Sequence, residues 1–514
     1  MTRRVAGPGR RRAYLTGVGL LVAVSLTGGC SDSAGPGEPD PEGLVVSAPA
    51  STFLTGDTLQ LTARTVAGVV LDPSAVTWSS EDPGIVTVSP QGRAVAVGAG
   101  EARVLATRTA DGETAQGSTP LTVRVGRGLR VPGMASYDRM IPELMEAWGI
   151  PGGAVAVMKD GRLVYARSYG YADTEAGEAV EPTDLFRIAS VSKPITAAAV
   201  LLLVERGELE LDEPAFAWLD DLEPPPGSTP DPRLDDITIR HLLLHAGGWD
   251  RDQSFDPMFR SDDAAAAVGV DPPADAETVI RWMLGQPLQF DPGLRYAYSN
   301  FGYAVLGRII ERVSGVSYEQ FVQDELLAPA GVERMAVGHS RLAERLPDEV
   351  RYYDAGTASS VFPGDGQVPW PYGGFHLEAM DAHGGWVAST VDLLRFVGAV
   401  DGRPMPPDVL TPASVAATVA HPGPPLWSGS AYHYGLGWLI RPTNGDANWW
   451  HGGSLPGTTT LVVRNYGGVS WAALFNRRAS GSGGSFDAAL DGRLWDALNA
   501  VTEWPAHDLF GGME

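Results

Sequence analysis

The chain has 514 residues, of which 44% are hydrophobic and 19% are charged, and its formal net charge is −24. This length exceeds that of one ordinary domain, so two or three domains are expected. The acidic balance argues against a nucleic-acid partner, because phosphates favour basic surfaces. The one cysteine, Cys30, excludes intramolecular disulfides.

The first 29 residues are predicted to be an export signal and are kept apart from the fold. Arginines at positions 3, 4 and 10–12 form a basic head, and an apolar run with small residues follows. The run ends at Cys30, whose position resembles the lipidated cysteine of a bacterial lipobox, although Thr27 occupies the usual leucine place. A plain signal peptide is the alternative. We expect an exported protein, anchored through a lipid on Cys30 in the cell envelope and facing the periplasm or the surface.

Residues 30–43 are acidic and rich in proline and glycine, which predicts a flexible tether. Residues 44–126 contain short alternating runs such as TLQLTA, AVTWSS and IVTVS, separated by turn residues at spacings typical of an all-β sandwich. The run VTWSSEDPGIVTVSPQGRAVAVGAGEARVLA resembles a bacterial Ig-like domain of group 2. That resemblance implies a spacer or adhesive module, with cell-wall contact as one role, and Trp78 as a core residue.

After a linker at 127–136 the pattern becomes mixed α and β. MIPELMEAWG predicts an amphipathic helix, and GGAVAVMKDGRLVYARSYG predicts a hairpin with Asp160 and Gly161 in its turn. PITAAAVLLLVERG predicts a buried helix that ends at Gly207, and apolar spacing at 306–313 predicts another helix. TTTLVVRNYGG and VSWAALFN near the carboxyl end read as two strands. Early and late strands with helices between them predict an antiparallel sheet joining both ends of the domain, plus a helical region.

The stretch LFRIASVSKPITAAAVLLLV carries polar groups at the edge of a core. Pro194 is tolerated only in a first helical turn, so the helix should begin near Ser190, with Lys193 one turn along on the same face. Lysine is used only twice among 38 basic residues, here and at Lys159. Arginine cannot lose its proton in a protein, whereas a buried lysine can, so a neutral Lys193 would be a base for Ser190. Chance survival of Lys193 is the alternative, and Ser192 is expected to be structural.

Two further triplets follow in chain order, Tyr298-Ser299-Asn300 before a helix and His451-Gly452-Gly453 before a strand. With S-x-x-K and the flanks TIRHLLLHAGG, AHGGWVASTVDLLRF and YGLGW, they resemble the penicillin-recognising serine hydrolases. This family includes class C β-lactamases, D-alanyl-D-alanine carboxypeptidases, D-aminopeptidases and esterases. The resemblance implies an α+β serine β-lactamase-like domain, assigned to residues 137–510, behind the Ig-like sandwich.

By this resemblance Ser190 becomes acylated, and Lys193 and Tyr298 share the proton transfers. Asn300, His451 and Gly453 are predicted to bind substrate, and the backbone N–H groups of Ser190 and Ser454 to form the oxyanion hole. His451 stands where class C β-lactamases carry lysine, which points to the carboxypeptidase and aminopeptidase branches. A histidine is charged only part of the time near neutral pH, which argues against efficient β-lactam hydrolysis.

The predicted function is therefore an envelope-anchored serine hydrolase that acts through an acyl-enzyme on an ester, a D-amino-acid peptide or amide, or a related acyl substrate. A β-lactamase, a non-catalytic penicillin-binding or sensor protein and an adhesin are the alternatives. No cofactor or metal is predicted, because Leu242 replaces the glutamate that would make His241 and His245 a zinc motif. Segments 249–277 and 351–380 would line the substrate cleft or form solvated loops.

Overall fold

A computed structural model describes residues 43–110, 112–481 and 484–513. The predicted signal segment, Cys30 and residues 30–42 of the predicted tether lie outside the described residues. Within the described ranges, no helix combines the length and the apolar character needed to cross a membrane.

The first described domain is a small β-sandwich. Its strands are β1 Leu44–Ser47, β2 Thr52–Leu54, β3 Thr58–Gln60, β4 Thr62–Thr65, β5 Thr77–Ser80, β6 Val86–Val88, β7 Arg93–Ala96, β8 Gly100–Ala110 and β9 Glu113–Arg124. They pair in the orders β2-β9-β8-β5, β3-β7-β6 and β1-β4. Trp78 is 8% exposed and packs in the same core as Val86 and Val104, so the prediction of a core tryptophan is confirmed.

The second domain is built on one large antiparallel sheet. Its strands and those of the smaller sheets are β10 Gly126–Arg127, β11 Gly152–Lys159, β12 Arg162–Asp173, β13 Glu178–Ala179, β14 Phe186–Arg187, β15 Ala336–Val337, β16 Thr357–Ser359, β17 Gln367–Pro369, β18 Trp386–Ala388, β19 His433–Tyr434, β20 Leu439–Thr443, β21 Asp446–Leu455, β22 Thr458–Arg464, β23 Val469–Phe475, β24 Ser480–Gly481 and β25 Gly484–Ser485. The large sheet has the order β10-β12-β11-β23-β22-β21-β20-β19, with β13 beside β12. The early hairpin thus lies against the late strands, as predicted.

Helices cover both faces of this sheet. They are α1 Ala135–Trp148, α2 Ser192–Glu205, α3 Ile239–Leu243, α4 Ser261–Val268, α5 Ala276–Leu284, α6 Asn300–Ser314, α7 Tyr318–Val322, α8 Thr390–Gly398, α9 Pro412–Val419 and α10 Phe486–Asn499. Successive residues of β11 point to opposite layers: Ala154 joins the core that includes α2 and α6, and Val155 joins the core that includes α1 and α10. The predicted fold class is confirmed. The helical region lies on the α2 side, where the predicted site residues begin.

The two domains meet through a buried polar contact. Arg167, in β12, is fully buried and donates to both carboxylate oxygens of Asp57 in the first domain, at 2.9 and 3.1 Å. It also donates to Asp138 in α1 at 3.1 Å. Leu54 of the first domain packs in the core formed by α1 and α10. In addition, β10, which opens the predicted linker, pairs with β12 and extends the large sheet.

Candidate active site

Ser190 lies in a sharp turn between a strand and the central helix. The chain leaves β14, and Ala189 adopts a left-handed backbone with φ of +49°, which is uncommon for a residue other than glycine. A 3-10 turn at Ala189–Val191 follows, and α2 begins at Ser192. The Ser192 hydroxyl donates to the Ala189 carbonyl at 2.7 Å and is fully buried. Ser192 therefore closes the turn, as expected, and Ser190 remains partly exposed.

Lys193 is fully buried behind Ser190, and its amine contacts three oxygen atoms. Nζ lies 2.7 Å from Asn300 Oδ1, 2.9 Å from the His383 carbonyl oxygen and 3.1 Å from Ser190 Oγ. Burial lowers the pKa of Lys193 well below its usual value, and Arg251 acts in the same direction, although Asp256 opposes it. Burial therefore favours the neutral form of this amine.

The protonation state of Lys193 determines what its three contacts can do. A neutral amine has two N–H bonds and one lone pair. The two carbonyl oxygens can only accept, so they take both N–H bonds. The lone pair is then left for the hydroxyl hydrogen of Ser190, which is the arrangement that a general base requires.

Tyr298 and Asn300 flank the amino end of α6. Between them, the Ser299 side chain accepts from the Gly302 N–H at 3.2 Å and caps the helix. Asn300 uses its carbonyl oxygen for Lys193 and one amide N–H for Asp256, at 2.7 Å, so its second amide N–H remains for a substrate. Burial raises the pKa of Tyr298, and interaction with the Ser190 hydroxyl opposes this effect. Tyr298 is thus a neutral phenol able to pass a proton.

The half of β21 that starts at His451 forms the opposite wall. The last pair between β20 and β21 joins Leu439 to Trp450, so from His451 onward this edge of β21 extends beyond β20. A side chain at Gly453 would begin 2.3 Å from the Ile188 carbonyl oxygen, and so only glycine allows this strand to approach the Ser190 turn.

His451 is a neutral, fully paired imidazole. Its Nδ1 lies 2.8 Å from the Gly452 carbonyl oxygen and therefore carries the proton, while Nε2 accepts from the Tyr434 hydroxyl at 3.0 Å. Burial lowers the pKa of His451 to about 3. The sequence suggested part-time charge at this position, but in this environment His451 carries none at neutral pH.

These elements enclose a cavity of about 610 Å³. All the predicted catalytic and substrate-binding residues except Lys193 line it, and Lys193 lies directly behind Ser190. The lining includes both residues of the predicted oxyanion hole, Ser190 and Ser454. The cavity thus brings together residues that are far apart in sequence, including Ser190, Tyr298, Asn300, His451, Gly453 and Ser454.

Several residues of the site have no predicted role in the sequence. Arg251 lines the cavity and lies with its guanidinium 4.8 Å from the Tyr298 ring centre, and Asp256 contacts Asn300. Both come from segment 249–277, which the sequence suggested as a cleft wall. His383 and Tyr434 belong to the flanks AHGG and YGLGW, which carried the resemblance without a role for individual residues.

The two histidines of TIRHLLLHAGG serve the fold. His245 is buried, accepts from the Ser299 N–H at 3.1 Å and packs with its ring centre 4.3 Å from that of Tyr298. His241 Nδ1 accepts from the Thr238 N–H in the cap of α3. Among the described residues, no three or more histidine, cysteine or acidic side chains are grouped to hold a metal ion.

Comparison with known families identifies both domains. Residues 43–118 match the bacterial Ig-like domain (group 2), and residues 137–493 match the Beta-lactamase family. The chain belongs to the β-lactamase family. The prediction of a penicillin-recognising serine hydrolase behind a bacterial Ig-like domain is confirmed by these matches.

Three curated relatives have different names within this family. Penicillin-binding protein 4* of Bacillus subtilis is 29% identical, over 61% of this chain and 65% of its own length. Esterase EstB of Burkholderia gladioli is 32% identical, over 52% and 70%. D-aminopeptidase of Brucella anthropi is 26% identical, over 63% and 55%. The chain thus spans less than two thirds of the first and third relatives.

Proposed function

We propose that this chain is an envelope-anchored serine hydrolase that forms an acyl-enzyme on Ser190 and acts on esters or D-amino-acid amides and peptides. The observation that carries the proposal is the buried Lys193 amine, whose two N–H bonds are taken by carbonyls and whose third contact is Ser190 Oγ at 3.1 Å. A buried amine with this set of neighbours is a base aimed at one hydroxyl.

Acylation begins when Lys193 takes the proton of Ser190 as Oγ attacks the substrate carbonyl carbon. The resulting oxyanion accepts from the backbone N–H groups of Ser190 and Ser454. The intermediate then collapses, and the leaving alkoxide or amine receives the proton from Lys193 by way of the Tyr298 hydroxyl. Ser190 is left as an ester of the acyl group.

Deacylation repeats the proton transfers with water. A water molecule gives its proton to the Lys193–Tyr298 pair and attacks the ester carbon of the acyl-enzyme. Collapse of the second intermediate returns the proton to Ser190 Oγ and releases the carboxylic acid. The second amide N–H of Asn300 is free to hold the substrate's acyl-side carbonyl during both steps.

The preference for esters and amides over β-lactams rests on His451. Its two ring nitrogens are already paired and its pKa is about 3, so it offers no cation to a β-lactam carboxylate. The names of two relatives, an esterase and a D-aminopeptidase, agree with this class. We expect penicillins to acylate Ser190 slowly and to leave slowly.

The anchoring part of the proposal rests on the sequence. A basic head, an apolar run and Cys30 in this order are typical of a lipid-anchored exported protein. The small-molecule or peptide acyl substrate would then be met outside the cytoplasm, and the Ig-like domain would lie between the anchor and the catalytic domain.

The test is active-site labelling of the purified protein with a fluorophosphonate, followed by peptide mapping and p-nitrophenyl ester hydrolysis. Wild type and Ser192→Ala should acquire the adduct on Ser190, whereas Ser190→Ala should not and should lose about 10⁴-fold or more in turnover. Ser192→Ala is the matched control because it removes a hydroxyl from the same peptide. Near-normal hydrolysis by a folded Ser190→Ala protein would refute the assignment.

A further inference from the structure

Asp256 lies in the loop after α3, and its two carboxylate oxygens make hydrogen bonds to different parts of the protein. Oδ1 accepts from the Met258 N–H at 3.2 Å and caps the 3-10 turn Pro257–Phe259. Oδ2 accepts from Asn300 Nδ2 at 2.7 Å and lies 3.4 Å from an Arg251 guanidinium nitrogen. The Asp256 side chain is only 15% exposed, so contacts with the protein rather than with solvent fix its orientation.

We propose that Asp256 is a positioning residue that acts through Asn300 on Lys193. This inference rests on the proposed function of Lys193 as the base. An ionised carboxylate can only accept hydrogen bonds, so it selects the NH₂ end of the Asn300 carboxamide. The carbonyl end of that amide must then face Lys193, as it does at 2.7 Å.

The orientation of this amide decides whether Lys193 can act on Ser190. With the carbonyl facing it, the neutral amine donates to Asn300 and keeps its lone pair for the Ser190 hydroxyl. With the amide reversed, the NH₂ group of Asn300 would donate to that lone pair and compete with Ser190 for it. Asp256 therefore keeps the base available without touching the substrate or the nucleophile.

The charge of Asp256 also acts on Lys193. The titratable or charged groups that face the amine are Tyr298, Tyr303, His245, His383, His451 and Arg251. Asp256 is the carboxylate that opposes the lowering of the Lys193 pKa. Its removal should lower that pKa further, so the base would stay deprotonated at lower pH.

Two substitutions separate these effects. Asp256→Ser retains an oxygen that can cap the turn, but it is too short to reach Asn300. Asp256→Asn keeps the shape and the cap but removes the charge and offers Asn300 either a donor or an acceptor. Asp275→Asn is the matched control, because Asp275 caps α5 by accepting from the Thr278 N–H.

The measurement is the rate of the p-nitrophenolate burst against pH, with active-site titration and a thermal midpoint for each variant. Asp256→Ser should be acylated at least about tenfold more slowly at pH 7, a part of the about 10²–10⁴-fold that a general base contributes, with KM within about twofold. The acid limb of the pH–rate profile should move to lower pH in Asp256→Asn, and Asp275→Asn should match wild type in burst rate and in pH profile. A merely structural role would lower the titrated fraction of active protein without moving the limb.

The inference is overturned if folded Asp256→Asn and Asp256→Ser proteins show the wild-type rate and the wild-type acid limb. It is also overturned if Asp275→Asn slows the burst as much. If Asp256→Ser does not fold, Asp256→Asn decides. Labelling of Ser190 in wild type keeps the outcomes distinct: labelled wild type with unaffected Asp256 variants contradicts only this inference, whereas absent labelling contradicts the proposed function itself.

Discussion

Replacement of Arg167 by methionine should uncouple the Ig-like domain from the hydrolase domain. In the wild-type protein the guanidinium is fully buried and donates to Asp57 at 2.9 and 3.1 Å and to Asp138 at 3.1 Å. Methionine is apolar and of similar length, so the change removes charge and hydrogen bonds more than packing. Two buried carboxylates, one from each domain, are left without their cation.

The expected loss of folding stability depends on those two carboxylates. Removing one partner of a buried ion pair costs about 3–5 kcal/mol, because the remaining charge is desolvated without compensation. Here the Tyr165 hydroxyl still donates to Asp138 at 2.7 Å, but Asp57 loses both guanidinium contacts. A loss of about 3–5 kcal/mol is a large part of the roughly 5–15 kcal/mol that stabilises a typical domain.

The loss should depend on pH with a definite sign. Burial already raises the pKa of Asp138 above its usual value, and without Arg167 that pKa should rise further. A group with a raised pKa in the folded state binds more protons there than in the unfolded state. Its stabilising contribution is present at low pH and is lost as pH rises through the folded-state pKa. The deficit of Arg167→Met should therefore be smaller at pH 4 than at pH 7.

Guanidinium titration and scanning calorimetry of the purified protein provide the assay. Arg124→Met is the matched control, because Arg124 also joins the two domains, through an ion pair with Glu146 at 2.6 Å. The side chains of this pair are exposed to solvent, by 35% for Arg124 and 62% for Glu146. An exposed pair of this kind contributes at most about 1 kcal/mol. The reasoning fails if Arg167→Met is no less stable than Arg124→Met, or if its deficit is equal at pH 4 and pH 7.

Three further predictions concern the site and the anchor. Lys193→Arg should slow acylation about 10²–10⁴-fold, nearly as much as Lys193→Met, because a guanidinium cannot take the Ser190 proton; substantial burst activity in the arginine variant would make Lys193 a fixed cation. His451→Gln should flatten the dependence of folding stability on pH between pH 6.5 and about 3. In this range the lowered pKa of the wild-type histidine costs up to about 1.4 kcal/mol of stability per pH unit as pH falls. Urea titrations at several pH values check this, and a slope of stability against pH equal to that of wild type would contradict it. Cys30→Ala should be exported but recovered in the soluble envelope fraction or the medium, and its retention in washed membranes would indicate another anchor.

Much of the fold could be predicted because its signals are local. The turn at Asp160 and Gly161 has φ values of +48° and +78°, which the dipeptide favours. Gly207 has φ of +69° just beyond α2, as expected of a residue that ends a helix. Pro194 places the start of α2 within a few residues, although the 3-10 turn before it was not predicted.

The least predictable parts of the site depend on contacts between distant segments. Asp256 and Arg251 lie in a loop whose composition shows only that it is polar and irregular, and their contacts with Asn300 and Tyr298 require α6 to pack beside that loop. The pairing of Tyr434 with His451 likewise depends on where β19 lies relative to β21. Neither set of contacts could be predicted from hydrophobic periodicity or from the conformational preferences of single residues.

The sequence by itself determined the two domain types and the helix or strand next to each motif. It also singled out Lys193, because lysine is otherwise almost absent from the chain. These follow from short-range patterns and from the identity of single side chains. Only the tertiary structure decided that Lys193 is buried with its two N–H bonds occupied, that His451 is neutral, and that the Ig-like domain is joined to the catalytic domain through Arg167. Burial and hydrogen-bond partners set pKa values and domain coupling, and both arise only when residues distant along the chain come together.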